Sequence, residues 1–226
     1  MSRLALPALT ALALLAAPAN AGPRILATGD SMIQIVDVKL EKKLKKLQPV
    51  SFRSDARVGS GISKSPWVRW SRRQARKHRP RATVAFIGAN DGYNMGPGAR
   101  CCGDGWVKKY RSRVLKMMRA WSRRGKGEVY WLTLPAPRPA AFQRIYAAVN
   151  RAIRGAVRRS GKHVHLIDTW EVFTPKGRFR RTMRWQGKRV VVRQSDGIHL
   201  SWTGAAIAAG LVKKAMRKDG VVERRR

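Results

Sequence analysis

Residues 25–36 read ILATGDSMIQIV. An apolar run ends at Gly29-Asp30-Ser31, and a helical pattern follows at once. Ile33, Val36, Leu40, Leu44 and Leu47 form one apolar stripe, with lysines opposite. A strand that passes straight into a helix is the unit from which α/β proteins are built. Ser31 stands at the junction and has two readings, the cap of the helix or a nucleophile.

With residues 24–28 as the first strand, four more follow. Residues 50–58 alternate weakly. ATVAFIG (82–88) and EVYWLTLP (128–135) are continuous apolar runs, as in parallel strands covered on both faces, and HVHLID (163–168) alternates as an edge strand does. Trp106, Tyr110, Val114, Met117, Met118 and Trp121 form one helical stripe. Phe142, Ile145, Tyr146, Val149, Ile153 and Val157 form another, and both read as core. Residues 201–217 predict a last helix with Ser201 as its cap. The alternation predicts one α/β domain over 22–217, a parallel sheet with helices on both faces. Residues 177–193 break the rhythm, since two β-prone runs flank Gln186-Gly187; a hairpin inserted before the last helix is expected. Residues 218–226 read as a frayed basic tail.

Residues 1–21 have the layout of a secretory signal peptide. Arg3 precedes LALPALTALALLAAP, too short to span a bilayer, and Ala19-Asn20-Ala21 makes an A-x-A site. Cleavage after Ala21 and export, periplasmic or secreted, are expected, and no later segment is apolar enough to cross a membrane. The 226 residues carry 49 Lys plus Arg against 12 Asp plus Glu, a net charge of +37. Such a field attracts polyanions without choosing among them. Export disfavours nucleic acid as partner and leaves anionic cell-envelope polymers within reach. A basic surface with no specific partner reads equally well. Cys101 and Cys102 are adjacent, which leaves open a vicinal disulfide, a free pair or an intermolecular bridge. They make no metal site, because no further cysteine could complete one.

Sites in open α/β sheets form outside the carboxyl ends of the strands. There the chain places Gly29-Asp30-Ser31, Gly59-Ser60-Gly61-Ile62-Ser63, Gly88-Ala89-Asn90-Asp91-Gly92 and, after the hairpin, Ser195-Asp196-Gly197-Ile198-His199. This is the inventory for acyl transfer through a serine. A Ser hydroxyl needs a base, and His199 suits that role at neutral pH. Asp196, three residues earlier, can fold back and orient the ring. The Ser31 N–H, the Gly61 N–H and the Asn90 side chain can donate to an oxyanion. Asp30 and Asp91 read as loop and turn stabilisers. His163-x-His165, without further ligands, reads as two partly exposed edge residues, and His78 in KHRPR belongs to a solvated basic run. Trp67, Trp70, Met95, Trp185 and Trp202 fall near these loops, as pocket lining or as packing.

The blocks GDS, a Gly in a short Ser-Gly loop, GAND and DGIH, in this order, resemble the SGNH hydrolase superfamily, the GDSL-like lipases and esterases. GSGISKSPWVRW, PAPRP and DGIHLSWTG resemble an exported bacterial branch long catalogued as a domain of unknown function. SMIQIV, after the serine, departs from the usual longer signature. Gly59 competes with Gly61 for the second block, and GISKSPWVRW favours Gly61. The resemblance implies a flavodoxin-like sandwich of sheet order 2-1-3-4-5, a Ser31-His199-Asp196 triad, an oxyanion hole of Ser31, Gly61 and Asn90, and no cofactor. An acylated small molecule or glycan is the implied substrate. Hydrolysis of a small acyl ester, acetyl first, and acyl transfer by the same residues are both compatible. A non-catalytic polyanion-binding protein on the same scaffold is the third reading.

Overall fold

The computed structural model describes residues 22–223. The signal-peptide reading of residues 1–21 lies outside them, as do residues 224–226. β1 (Arg24–Gly29), β2 (Ser51–Ala56), β3 (Ala82–Phe86), β4 (Glu128–Leu132) and β5 (Val164–Ile167) form a parallel sheet in the order β2-β1-β3-β4-β5. β3 and β4 are buried along their whole length, as their continuous apolar runs require, and β2 and β5 are the half-exposed edges.

The strand order reverses once, and right-handed crossovers then assign the helices to faces. α1 (Val36–Lys45), on the way from β1 to β2, lies on one face and packs against α6 (Trp202–Lys218). α2 (Trp67–His78), α3 (Asp104–Ser122) and α4 (Ala140–Val157), on the connections leading the other way, pack side by side on the opposite face. Trp106, Tyr110, Val114, Met117, Met118 and Trp121 are all fully buried between α3 and the sheet. Ser201 caps α6 by accepting from the Gly204 N–H at 3.0 Å. β6 (Thr182–Trp185) and β7 (Lys188–Val191) form the expected antiparallel hairpin. Its two turn residues, Gln186 and Gly187, both have positive φ, the geometry that matches strand twist in a two-residue hairpin.

Four features differ from the sequence reading. KHRPR is not merely a solvated run, because residues 67–78 are helical. The inner face of α2 carries Ser71 and Gln74 as well as Trp67 and Ala75. Gln74 is satisfied in the interior by Thr28 Oγ1 at 2.8 Å, Asp55 Oδ2 at 2.9 Å and the Trp121 indole at 3.0 Å. The short helix α5 (Thr169–Phe173), capped by Asp168, was not expected either. The described part of the tail is not frayed. Val221 and Val222 are buried, and Asp219 accepts from the Tyr130 hydroxyl at 2.9 Å. Phe142 and Ile145, at the start of the α4 stripe, are only partly buried; their neighbours Tyr146, Val149 and Ile153 complete the core. Cys101 and Cys102 are joined as a vicinal disulfide.

Candidate active site

The sheet reverses its order beside β1, and the crevice of an α/β sheet opens at such a point. Gly29 ends β1 there. A Cβ at this position would stand 1.9 Å from the Phe86 carbonyl oxygen, so close approach to β3 requires glycine. The next two residues divide the roles left open by the sequence. Asp30, not Ser31, caps the short 3₁₀ turn Ser31–Ile33, accepting from the Met32 N–H at 2.9 Å. The Ser31 hydroxyl is left for a different partner.

That partner is His199. Ser31 Oγ lies 2.8 Å from His199 Nε2, and His199 Nδ1 lies 2.6 Å from Asp196 Oδ2. The three residues form one hydrogen-bonded chain across 168 positions of sequence. Asp196 also accepts from the N–H groups of Ile198 and His199, at 2.8 and 3.1 Å. Burial alone would raise its carboxyl; the His199 ring and these two amides outweigh that and hold it below the usual carboxylate range. An ionised Asp196 fixes the imidazole with Nε2 toward the serine, the geometry needed to take its proton.

Asn90 stands beside them. It borders both clefts that contain Ser31 and His199, and its Nδ2 donates to the Ser60 carbonyl at 3.2 Å. An amide nitrogen has two hydrogens, so one is spare for an oxyanion. Gly61 is buried, and its N–H is turned to Ser65 Oγ at 3.4 Å. It is glycine for packing, since a Cβ would meet Asp91 Oδ1 at 2.8 Å and the Asn90 carbonyl at 2.9 Å. Gly59, at φ +73°, is the glycine of this loop that borders the cleft with Ser31.

Two buried carboxylates tie the loops together. Asp30 accepts from the N–H groups of Gly88 and Ala89 at 2.8 and 2.9 Å, which locks the serine loop to the Asn90 loop. Asp91 accepts from the Ile62 and Ser63 N–H groups and from the Tyr110 hydroxyl at 2.6 Å, which locks the Asn90 loop to the glycine loop. Burial pushes Asp30 up to about 6 and lifts Asp91 in the same direction.

Arg193 was not expected at all. It is fully buried, and its guanidinium donates to the carbonyls of Ala136, Gly197 and Ile198 at 2.8, 2.9 and 2.9 Å. It thereby pins the loop that carries Asp196 and His199. Its only trace in the sequence is a lone arginine closing the apolar run of RVVVR, just before DGIH.

Ser31 sits where two clefts meet. One, of about 430 Å³, is floored by Phe142, Ile145 and Ile198, with Lys64 and Tyr93 at its rim. The other, of about 560 Å³, runs past Gln34, Val58, Gly59 and Gln194. None of the five residues Trp67, Trp70, Met95, Trp185 and Trp202 lines either cleft. Trp67 and Met95 are core, and Trp202 is exposed with Lys39 Nζ 4.5 Å over its ring. His163 and His165 both bond Glu128, at 2.8 Å each, on the β4–β5 edge away from Ser31.

Solved structures with this fold share little of its sequence. A lipase/acylhydrolase from Enterococcus faecalis is 17% identical over 90% of this chain and 99% of its own, with a TM-score of 0.57. The catalytic domain of peptidoglycan O-acetyltransferase A from Streptococcus pneumoniae is 14% identical over 91% and 99%, with a TM-score of 0.58. A carbohydrate esterase family 2 enzyme from Corynascus thermopiles is 18% identical over 91% and 68%, with a TM-score of 0.59. Comparison with curated protein sequences finds no match. The sandwich and its strand order are those implied by the motif resemblance, and residues 24–215 match a single family model. The chain belongs to that family, described as a protein of unknown function (DUF459).

Proposed function

We propose that the protein is an exported serine esterase that cleaves a small acyl ester, acetyl first, on a cell-envelope glycan. The observation that carries this reading is the unbroken chain from Ser31 Oγ through His199 to Asp196, with contacts of 2.8 and 2.6 Å. His199 Nε2 takes the Ser31 proton as Oγ adds to the ester carbonyl. The Ser31 N–H and Asn90 Nδ2 donate to the oxyanion, with a third donor from the Gly59–Gly61 turn. His199 then protonates the leaving alkoxide, and water releases the acyl group from Ser31 by the reverse sequence. Export rests on the sequence of residues 1–21, and the small acyl group and the glycan on the resemblance.

A fluorophosphonate should label Ser31, and Ser31→Ala should abolish both labelling and turnover of p-nitrophenyl acetate. Equal turnover by wild type and Ser31→Ala would sink the proposal. The meeting of two clefts at Ser31 supports a second reading, in which a sugar hydroxyl replaces water. The solved peptidoglycan O-acetyltransferase shares the fold. Product analysis with a glycan acceptor present separates the two: an O-acylated glycan marks the transferase, free acid the hydrolase.

A further inference from the structure

The end of the sheet opposite Ser31 carries a concentration of arginine that the proposed reaction does not use. Two adjoining clefts, of about 630 and 430 Å³, share Arg79 and Arg123. Arg24, Arg81 and Lys126 complete one, Arg72 and Arg76 the other. Arg24 begins β1, and Arg81 and Lys126 shortly precede β3 and β4, so the clefts follow the amino ends of the strands. That is about 20 Å from Ser31, the length of a six-residue strand at about 3.3 Å per residue.

Two of the arginines are held in place by backbone carbonyls. Arg123 Nη2 donates to the carbonyls of Pro80 and Lys126, at 2.8 and 2.6 Å, and Arg24 Nε to that of Arg79 at 3.2 Å. These bonds hold the guanidiniums and leave most of their donors unused. Arg123 Nε is buried with no partner among the described residues. The one acidic contact among the described residues is Glu128, 3.5 Å from Arg81 and shared with His163 and His165. α2 and α3 both end here, and helix C-termini attract cations. Two such ends supply only about one negative charge in total, too little to account for six arginines and a lysine. Burial together with repulsion from Arg24, Arg79 and Arg81 pushes Arg123 below its ordinary value, as expected of a cluster short of counter-charge.

We propose that these joined clefts bind a linear polyanion with repeated phosphate groups, holding the protein on an anionic polymer while the Ser31 end stays free. One small anion could not neutralise so many cations, whereas a chain of phosphates laid along both clefts could, each guanidinium fork taking a phosphate. A lipid surface fits less well. Docking on a membrane calls for apolar side chains beside the charges. Among the described residues the exposed large apolar side chains are Val38, Val58, Tyr93, Val191 and Trp202, and none lines either cleft.

The test uses labelled inorganic polyphosphate and two triple variants of the full chain. Arg72→Gln, Arg76→Gln, Arg79→Gln empties one wall of the clefts; Lys108→Gln, Arg184→Gln, Lys188→Gln removes the same charge elsewhere. All six residues are exposed, so both proteins should fold. At about 150 mM salt the cleft triple should weaken binding at least about tenfold and flatten the slope of log K against log salt by about 2, at roughly 0.7 per lost phosphate contact. The control triple should bind within about twofold of wild type, and turnover of p-nitrophenyl acetate should be equal in the cleft triple and wild type. Equal weakening by both triples would show diffuse attraction and overturn the proposal, as would no weakening by the cleft triple. Vesicles of phosphatidylglycerol give the remaining arm. Cleft-dependent binding to vesicles without cleft-dependent binding to polyphosphate would also overturn it, in favour of a membrane.

Discussion

Replacing Arg193 by methionine should damage catalysis far more than stability. Its guanidinium spans three carbonyls, of which that of Ala136 is deep in the protein and those of Gly197 and Ile198 belong to the His199 loop. Three charge-assisted bonds are worth at least about 1.5 kcal/mol each, or about 4–5 kcal/mol together. Against this stands the cost of burying the charge. Burial lowers Arg193 to about 10 from 12.5, which corresponds to about 3 kcal/mol that methionine recovers. The net loss should be about 1–2 kcal/mol, a fall in Tm of about 3–6 °C for a domain of this size. The loop loses its tether, however, and a displacement of about 1 Å at His199 costs about 10² in rate. The assay is p-nitrophenyl acetate turnover beside urea unfolding. kcat should fall about a hundredfold with KM little changed. Arg193→Lys, which keeps the charge but cannot span three carbonyls, should fall between methionine and wild type. A methionine variant with kcat within about twofold of wild type and the same loss of stability would refute the reasoning, because Arg193 would then be packing and not positioning.

Three further outcomes follow from other parts of the site. Asn90→Ala should lower kcat by about 10²–10³, the usual effect of deleting one oxyanion donor, while fluorophosphonate labelling of Ser31 persists at a reduced rate. Ile145→Ala should enlarge the cleft floored by Phe142 and Ile145 and shift preference from acetyl toward longer acyl esters, read as the ratio of kcat/KM for p-nitrophenyl butyrate and acetate; an unchanged ratio would place the acyl group in the other cleft. Stability should fall as pH rises from about 4 to about 6. Asp30 is lifted from 3.8 to about 6 and Asp91 in the same direction, so the folded state binds protons more tightly than the unfolded one across that window. Asp30 alone accounts for at most about 3 kcal/mol, and urea midpoints that rise over this range would contradict it.

The sheet was legible because its central strands are apolar on both faces: ATVAF and EVYWL cannot be placed anywhere but inside. The Ser31, Asn90 and His199 loops were legible because each follows an element that ends abruptly at a glycine-rich or turn-rich motif. α2 was not, because two of its inward positions are Ser71 and Gln74. Their burial depends on Thr28, Asp55 and Trp121, partners far off in the chain. Periodicity counts apolar residues and is blind to a polar side chain whose partners arrive from elsewhere. Val221 and Val222 were missed for a related reason, since two valines after a glycine form no pattern until the core they cover exists. Gly59 and Gly61 compete for one role because a glycine needed for packing and one that borders a cleft look alike in GSG. Their surroundings tell them apart: a Cβ on Gly61 would meet Asn90 and Asp91, and one on Gly59 would meet nothing within 4 Å.

The residues that assemble the site are not those that do its chemistry. Asp30 and Asp91 each gather backbone N–H groups from a neighbouring loop, and Arg193 gathers carbonyls. None of the three is held by an ion pair among the described residues; peptide groups surround Asp30 and Arg193, and Asp91 has the Tyr110 hydroxyl beside its two amides. This differs from a buried salt bridge, which apolar residues of similar volume can often replace without loss of stability. Here an apolar substitute would strand amides or carbonyls that belong to the loops of Ser31, Asn90 and His199. Burying an unpaired charge is costly, and the raised Asp30 and lowered Arg193 record that cost. What the cost secures is register: four loops from separate parts of the chain are held so that Ser31 Oγ meets His199 Nε2 at 2.8 Å before any substrate arrives.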